Sequence, residues 1–265
     1  MELSFIQFIL IGTFIGIASG SVGSFVLLRR MALVSDALSH VALPGIGLAL
    51  AYQVDPFWGV LVFLLIAAII IWRLEMKTGL PAEAIVGLLF TASLAAGILL
   101  IPNEELMESL FGTFPALSPA LLAAFVIVSG FISFLVFNLT KKFVFMTVSP
   151  ELAAVEGIRE RYQLFLLLIF TFVVALGIKF VGTLLMGALI IISALVAKNM
   201  IRDMKGYIIV SSLAGGFIAV GGIVFSKFFG YLPGPTVILF GVSLFFLSLP
   251  FSARGGSASG GKKKF

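Results

Sequence analysis

The chain has 265 residues, of which 61% are hydrophobic and 11% are charged, and its net charge is +5. Soluble domains carry about 25% charged residues, so this composition excludes an ordinary soluble fold and favours a protein embedded in a bilayer. The absence of cysteine excludes disulfides, thiolate metal sites and cysteine nucleophiles, and the single histidine excludes chemistry that needs two imidazoles from one chain.

Nine apolar runs follow one another along the chain, and a membrane-spanning helix needs about 20 apolar residues. The long stretch 162–197 exceeds one crossing, so we divide it at Lys179. The sequence therefore predicts an all-α fold, a polytopic transmembrane helical bundle of about 8–9 spans. Residues 1–252 form its transmembrane domain, and 253–265 form a disordered cytoplasmic tail of Gly, Ser and Lys. The runs lie near 3–28, 33–53, 57–72, 82–101, 118–138, 162–178, 180–197, 207–226 and 233–250.

The charges between the runs orient them, because cytoplasmic loops of membrane proteins are rich in Lys and Arg. With nine spans and the N-terminus outside, 15 of the 17 basic residues lie on the inner side, and Lys179 and Lys227 lie outside. These basic clusters indicate membrane orientation and no nucleic-acid partner. An eight-span arrangement with a different N-terminal layout stays open, because glycines interrupt the first run. The outer acidic residues are Glu2, Asp55, Glu104, Glu105 and Glu108.

Asp36 and His40 in the second run form the first candidate site. Their i,i+4 spacing places a carboxylate and an imidazole on one helix face, and ionisable groups within a span are usually functional. This pair suits zinc, manganese or ferrous iron. The alternative is a polar pair that fastens helices together, with Ser35 and Ser39. The predicted topology places Asp36 near the inner arginines, whereas a substrate site belongs near the midplane. The helix must therefore begin deeper, or the N-terminal layout differs.

A short segment in the basic inner loop forms the second candidate site. Ser149 is a predicted N-cap, Pro150 suits the first helical turn, and Gly157 ends the helix. An acidic and an apolar face result, which fits either an ordinary interfacial helix or a docking helix for a cytoplasmic partner. The segment contains Ser149, Pro150, Glu151, Leu152, Ala153, Glu156 and Gly157.

Taken in order, a set of short motifs resembles the membrane permease of the metal-importing ATP-binding-cassette family, whose members transport zinc, manganese or iron together with a cluster A-type metal-binding protein. The resemblance extends from Gly23 to about Leu249. The chain departs from the family pattern at Ser193, where related sequences often have a proline that would kink the span near its inner end. The motifs are Gly23-Ser24-Phe25-Val26 with Arg29-Arg30-Met31, Asp36-Ala37-Leu38-Ser39-His40, Leu110-Phe111-Gly112, Ser149-Pro150-Glu151-Leu152-Ala153, Lys179-Phe180-Val181-Gly182 and Pro233-Gly234-Pro235-Thr236.

This resemblance implies a role for each candidate site. Asp36 and His40 match the pair of the metal site in the translocation path, and Ser149 to Gly157 match the coupling helix that seats in the ATP-binding subunit. The implied protein is a transport subunit and not an enzyme, and it binds no cofactor besides the transported divalent ion. It works as a homodimer in a bacterial or archaeal plasma membrane, with a cytoplasmic ATP-binding subunit and an extracellular or periplasmic metal-binding protein.

Two other functions remain alternatives. A permease for a metal chelate (siderophore, haem or cobalamin) needs a wide cavity, and the intramembrane pair argues for a bare ion. A stand-alone secondary transporter or an intramembrane enzyme needs no ATPase, and the docking-like inner loop argues against it. The chain has no G-x-x-x-x-G-K-[ST] motif, so ATP-driven transport requires a separate nucleotide-binding subunit.

Overall fold

In the computed structural model, the described residues are 2–102, 109–111 and 118–253, and every regular element within these ranges is helical. The prediction of an all-α polytopic bundle is confirmed. The elements are α1 (Glu2–Leu28), α2 (Ala32–Val41), α3 (Leu43–Ala51), α4 (Pro56–Thr78), α5 (Ala82–Leu100), α6 (Pro119–Val148), α7 (Pro150–Val155), α8 (Ile158–Val181), α9 (Thr183–Met200), α10 (Met204–Phe229) and α11 (Pro233–Ala253).

All nine apolar runs of the sequence fall on helices. Among the described residues, eight helical stretches are long and apolar enough to cross a bilayer, with α2 and α3 together forming one of them, and Leu185–Met200 is a shorter apolar helix. The predicted division at Lys179 is three residues early, because the helix continues to Val181 and breaks at Gly182. Gly182 has φ 86° and ψ 163°, a backbone conformation that is essentially restricted to glycine.

Helix α1 lies at the centre of the bundle, where it packs against α6, α9 and α10. Its approach to α10 is close because glycines face the partner backbone. A Cβ atom on Gly20 would lie 2.6 Å from the carbonyl carbon of Ser211 and 2.9 Å from the Cα of Ser212. Glycines that the sequence analysis treated as interruptions of the first run therefore serve helix–helix packing, as in other membrane bundles.

Contacts between helix ends agree with the predicted sides of the membrane. Hydrogen bonds, an ion pair and a cation–π contact connect the ends of different helices. In each of them, both residues belong to the same predicted side of the membrane. Lys179 and Lys227, the two basic residues assigned to the outside, both have outer partners. The outer pairs are Lys179 Nζ with Asp55 Oδ2 at 3.4 Å and Lys227 Nζ with the Phe5 ring centroid at 3.6 Å. The inner pairs are Trp72 Nε1 with the Glu160 carbonyl at 3.1 Å and Asn199 Nδ2 with Ser248 Oγ at 2.9 Å.

Helix α9 runs unbroken through Ser193. The Ser193 hydroxyl donates to the carbonyl of Ile190 at 3.0 Å, so this position holds a straight helical turn where a proline would bend it. Several features of the sequence analysis lie outside the described residues, namely Glu104, Glu105, Glu108, Gly112 and the tail from Arg254 onward.

Candidate functional site

Asp36 and His40 lie one turn apart on α2, as their spacing predicts. The His40 side chain is 7% exposed, and its ring meets that of Phe90 on α5 edge-to-face, with centroids 5.3 Å apart. Asp36 is exposed on the surface of the protomer, next to Leu33, which is 78% exposed. The pair therefore stands at the border between the packed interior and an open face of α2.

One of the two serines of the motif connects α2 to another helix, and neither of their hydroxyl groups donates to the candidate metal-binding pair. Ser35 Oγ donates to the carbonyl of Gly187 on α9 at 3.3 Å, and Ser39 Oγ donates to the carbonyl of Ser35 at 3.1 Å. Both serines are fully buried. Ser35 therefore fastens α2 to α9, on a different face from Asp36.

The depth of Asp36 follows from its neighbour on α9. Gly187 contacts the backbone of Asp36 and lies 13 residues before the end of α9 at Met200, which corresponds to about 20 Å along the helix axis at a rise of 1.5 Å per residue. Met200 marks the inner end in the predicted topology. Asp36 therefore lies far from the predicted inner end of α9, although it is close in sequence to the inner arginines.

The site-bearing helix is interrupted directly after the candidate pair. Helix α2 ends at Val41, and α3 begins at Leu43 with Pro44 in its first turn. Proline has no N–H and cannot donate to the carbonyl four residues earlier, which here belongs to His40. Broken helices at membrane depth are a recurring device for exposing polar backbone to a transported solute.

One protomer supplies few ligands at this position. Within the described ranges, no three His, Cys, Asp or Glu side chains come close enough together to hold a metal ion. An exposed carboxylate on a membrane-spanning helix is costly against lipid. The open face that carries Asp36 is therefore suited to an aqueous pathway or to a second protein surface, and not to the acyl chains of the bilayer.

The second candidate site forms the short helix that the sequence predicts. Ser149 occupies the predicted N-cap position, and its side chain makes no capping hydrogen bond there. Ser149 has φ −131° and ψ 67°, and its carbonyl accepts from the amide of Ala153 at 3.0 Å. Gly157 ends the segment in the left-handed region, with φ 67°, as the sequence predicts.

The faces of α7 differ sharply in exposure. Ala153 is fully buried, whereas Leu152 is 60% and Val155 is 87% exposed. Ala153 anchors the helix to the bundle, and the apolar Leu152 and Val155 side chains point away from it on the inner side. Exposed apolar residues beside Glu151 and Glu156 are typical of a surface that binds another protein or lies at the membrane interface.

Gly187 and Phe90 are the site neighbours that sequence reasoning missed. Neither belongs to one of the recognised motifs, and both are separated from Asp36 by many residues in the chain. Gly187 lies five residues after Gly182, the last residue of the Lys179 motif, and hydropathy alone gives no signal for its contact with α2.

Comparison with known proteins agrees with this architecture. The sequence matches the ABC 3 transport family over residues 2–252. It is 34% identical over 255 residues to the high-affinity zinc uptake system membrane protein ZnuB of Haemophilus influenzae, covering 91% of this chain and 95% of that protein. It is 30% identical over 262 residues to the manganese transport system membrane protein MntC of Listeria monocytogenes, covering 97% of this chain and 94% of that protein.

A solved structure has the same fold. A chain of PsaBC from Streptococcus pneumoniae, in complex with Fab, superposes with a TM-score of 0.81 at 30% sequence identity. The match covers 94% of this chain and 93% of that chain, so the helical arrangement is shared over nearly the whole molecule.

Proposed function

We propose a function from one premise: the chain belongs to the ABC 3 transport family. It is the membrane-spanning permease subunit of an ATP-driven importer in the plasma membrane, and the transported substrate is a divalent transition-metal ion of the zinc and manganese class. The names of the related proteins, a zinc uptake membrane protein and a manganese transport membrane protein, support this substrate class.

The observation that carries the proposal is the Asp36 carboxylate, which is exposed on the protomer, far from the predicted inner end of α9 and one turn from buried His40. A carboxylate attracts a cation, and neutral imidazole adds a borderline nitrogen ligand. Because lipid would make such an exposed charge costly, the face of α2 that carries it lines the translocation pathway.

Two ligands from one chain are too few for a metal site, so a second copy completes it. In a homodimer around a shared pathway, each protomer contributes one carboxylate and one imidazole. Two carboxylates and two imidazoles can bind a zinc or manganese ion, and neither protomer by itself provides a complete metal site. Such a site releases the ion when the helices move apart.

The energy for transport comes from a separate cytoplasmic ATP-binding subunit, because the chain has no phosphate-binding loop. The helix α7 is the docking element, with Leu152 and Val155 as apolar contacts and acidic residues beside them. Movement of this helix alternates the pathway between outward-open and inward-open states. An outer metal-binding protein delivers the ion, and this chain contributes a pathway with no bond-breaking chemistry.

The metal-chelate and stand-alone alternatives have less support. Helix α2 is in direct backbone contact with α9 at Asp36, which favours a small bare ion at this position over a chelate. The exposed apolar residues of α7 favour a transporter with a cytoplasmic partner.

The test is metal uptake into vesicles that contain the assembled transporter, measured with zinc and with manganese. Asp36→Asn and His40→Gln are expected to abolish uptake of both ions while dimerisation and assembly with the ATPase persist. Glu83→Gln is the matched control, because Glu83 is an exposed carboxylate in the first turn of α5, and it is expected to transport normally. Wild-type uptake by both the Asp36 and His40 variants would refute the proposed site.

A further inference from the structure

We infer that Gly187 is a positioning residue for Asp36: its missing side chain sets where the carboxylate stands in the pathway, and so sets the preference between metal ions. This inference rests on the proposed function and adds to it a residue on a different helix, outside every recognised motif.

The contact between α9 and α2 leaves no room for a side chain at residue 187. A Cβ atom on Gly187 would lie 2.5 Å from the Cα of Asp36, 2.8 Å from the amide nitrogen of Asp36 and 2.8 Å from the carbonyl oxygen of Ser35. Ordinary Cβ contacts begin at 3.4 Å. All three neighbours are backbone atoms, so no side-chain rotation relieves the overlap. An alanine here must displace α2 or α9 by about 1 Å.

A hydrogen bond at the same place fixes the register of the two helices. Ser35 Oγ donates to the carbonyl of Gly187 at 3.3 Å, and both residues are buried. The steric contact sets the separation of the helices, and the hydrogen bond sets their position along the axis. Because Asp36 follows Ser35 directly, both constraints act on the backbone that carries the carboxylate.

A displacement of this size matters more for a metal ligand than for general packing. Metal–ligand distances are defined within about 0.2 Å, and misplacement of a reacting group by about 1 Å can cost roughly 10²-fold in activity. Carboxylate oxygens suit manganese, whereas imidazole also suits zinc. A shift of α2 moves its carboxylate and imidazole against the ligands of the second protomer, and it therefore changes the ratio of zinc to manganese transport, besides lowering both.

The experiment compares three glycine-to-alanine variants in the assembled transporter, with uptake of zinc and manganese measured over a concentration series. Gly87→Ala is the neutral control, because a Cβ on Gly87 meets no neighbouring atom within 4 Å. Gly20→Ala is the packing control, because it crowds the contact between α1 and α10. For Gly187→Ala we expect an increase of about 10²-fold in the half-saturating metal concentration and an altered zinc-to-manganese ratio.

The controls separate positioning from general loss of structure. Gly87→Ala is expected to match the wild type, and Gly20→Ala to lower the amount of folded protein with an unchanged zinc-to-manganese ratio. Ser35→Ala removes the hydrogen bond without adding an atom, and we expect a smaller change of the ratio. If Gly187→Ala does not assemble, Ser35→Ala takes its place in the test. An unchanged zinc-to-manganese ratio for Ser35→Ala then overturns the inference.

The outcomes also distinguish this inference from the proposed function. If Asp36→Asn abolishes uptake while Gly187→Ala keeps the wild-type half-saturation and ratio, the positioning role is refuted and the metal site stands. If Asp36→Asn itself transports normally, the metal site fails before Gly187 is considered.

Discussion

Replacing Gly20 by alanine tests the central contact of the bundle. The added Cβ would lie 2.6 Å from the carbonyl carbon of Ser211 and 2.9 Å from the Cα of Ser212, so α1 and α10 must separate by roughly 1 Å. Overpacking of this kind costs about 1–3 kcal/mol. The hydrogen bond from Ser211 Oγ to the Gly20 carbonyl, 2.6 Å long, is weakened as well, and such bonds contribute about 0.6 kcal/mol in a membrane protein.

Helix propensity acts in the opposite direction, because alanine is better than glycine in a helix by about 1 kcal/mol. The net effect for Gly20→Ala is a loss of about 0.6–2.6 kcal/mol in the free energy of unfolding. Gly87→Ala has the propensity gain without any clash, so it is expected to be stabilised by up to about 1 kcal/mol. The two substitutions are chemically identical, so the gain in helix propensity cancels, and the predicted difference of about 1.6–3.6 kcal/mol comes from the helix contact at Gly20.

The purified protein is unfolded in mixed micelles by raising the fraction of a denaturing detergent, and the loss of helix is measured by circular dichroism. The Gly20→Ala variant should unfold at a lower denaturant fraction than the wild type, and Gly87→Ala at an equal or higher one. If Gly20→Ala is as stable as Gly87→Ala, the close backbone approach of α1 and α10 does not exist in the folded protein.

The remaining predictions concern partner docking, topology and the helix break. Leu152→Asp should weaken assembly with the ATP-binding subunit, measured by co-purification, and unchanged assembly would reduce α7 to an interfacial helix. The chain has no native cysteine, so single cysteines can be labelled with an impermeant maleimide. Val155→Cys should react only from the cytoplasmic side and Gln53→Cys only from the outside. The reverse pattern would show that the predicted topology is inverted. Gly182→Ala should destabilise the protein by about 1–3 kcal/mol in the same denaturation assay, because φ 86° with ψ 163° is strained for alanine, and stability equal to that of Gly87→Ala would contradict this.

Local patterns in the sequence were sufficient for the class of fold and for the candidate residues. Each apolar run falls on a helix, because a helix that crosses a bilayer must satisfy its own backbone hydrogen bonds and be apolar over its whole length. The prediction that Asp36 and His40 share a helix face is also local, since their i,i+4 spacing alone requires it once the run is helical. The coupling-segment turn at Gly157 was predictable for the same reason, as glycine is the usual residue in a left-handed helix end.

Only the tertiary structure decided the depth of the site and the surroundings of its two residues. Ser35 and Gly187 are 152 positions apart in the chain, and their contact places Asp36 far from the predicted inner end of α9 although the arginines of the inner turn are close to it in sequence. The break at Gly182 was placed three residues early, at Lys179, because a charge near the end of an apolar run resembles a loop when the outer partner Asp55 is not known. Hydropathy shows only whether each helix is apolar enough to lie in lipid. How one helix is positioned along another depends on where glycines allow the two backbones to approach, and only the packed bundle shows which helices meet there.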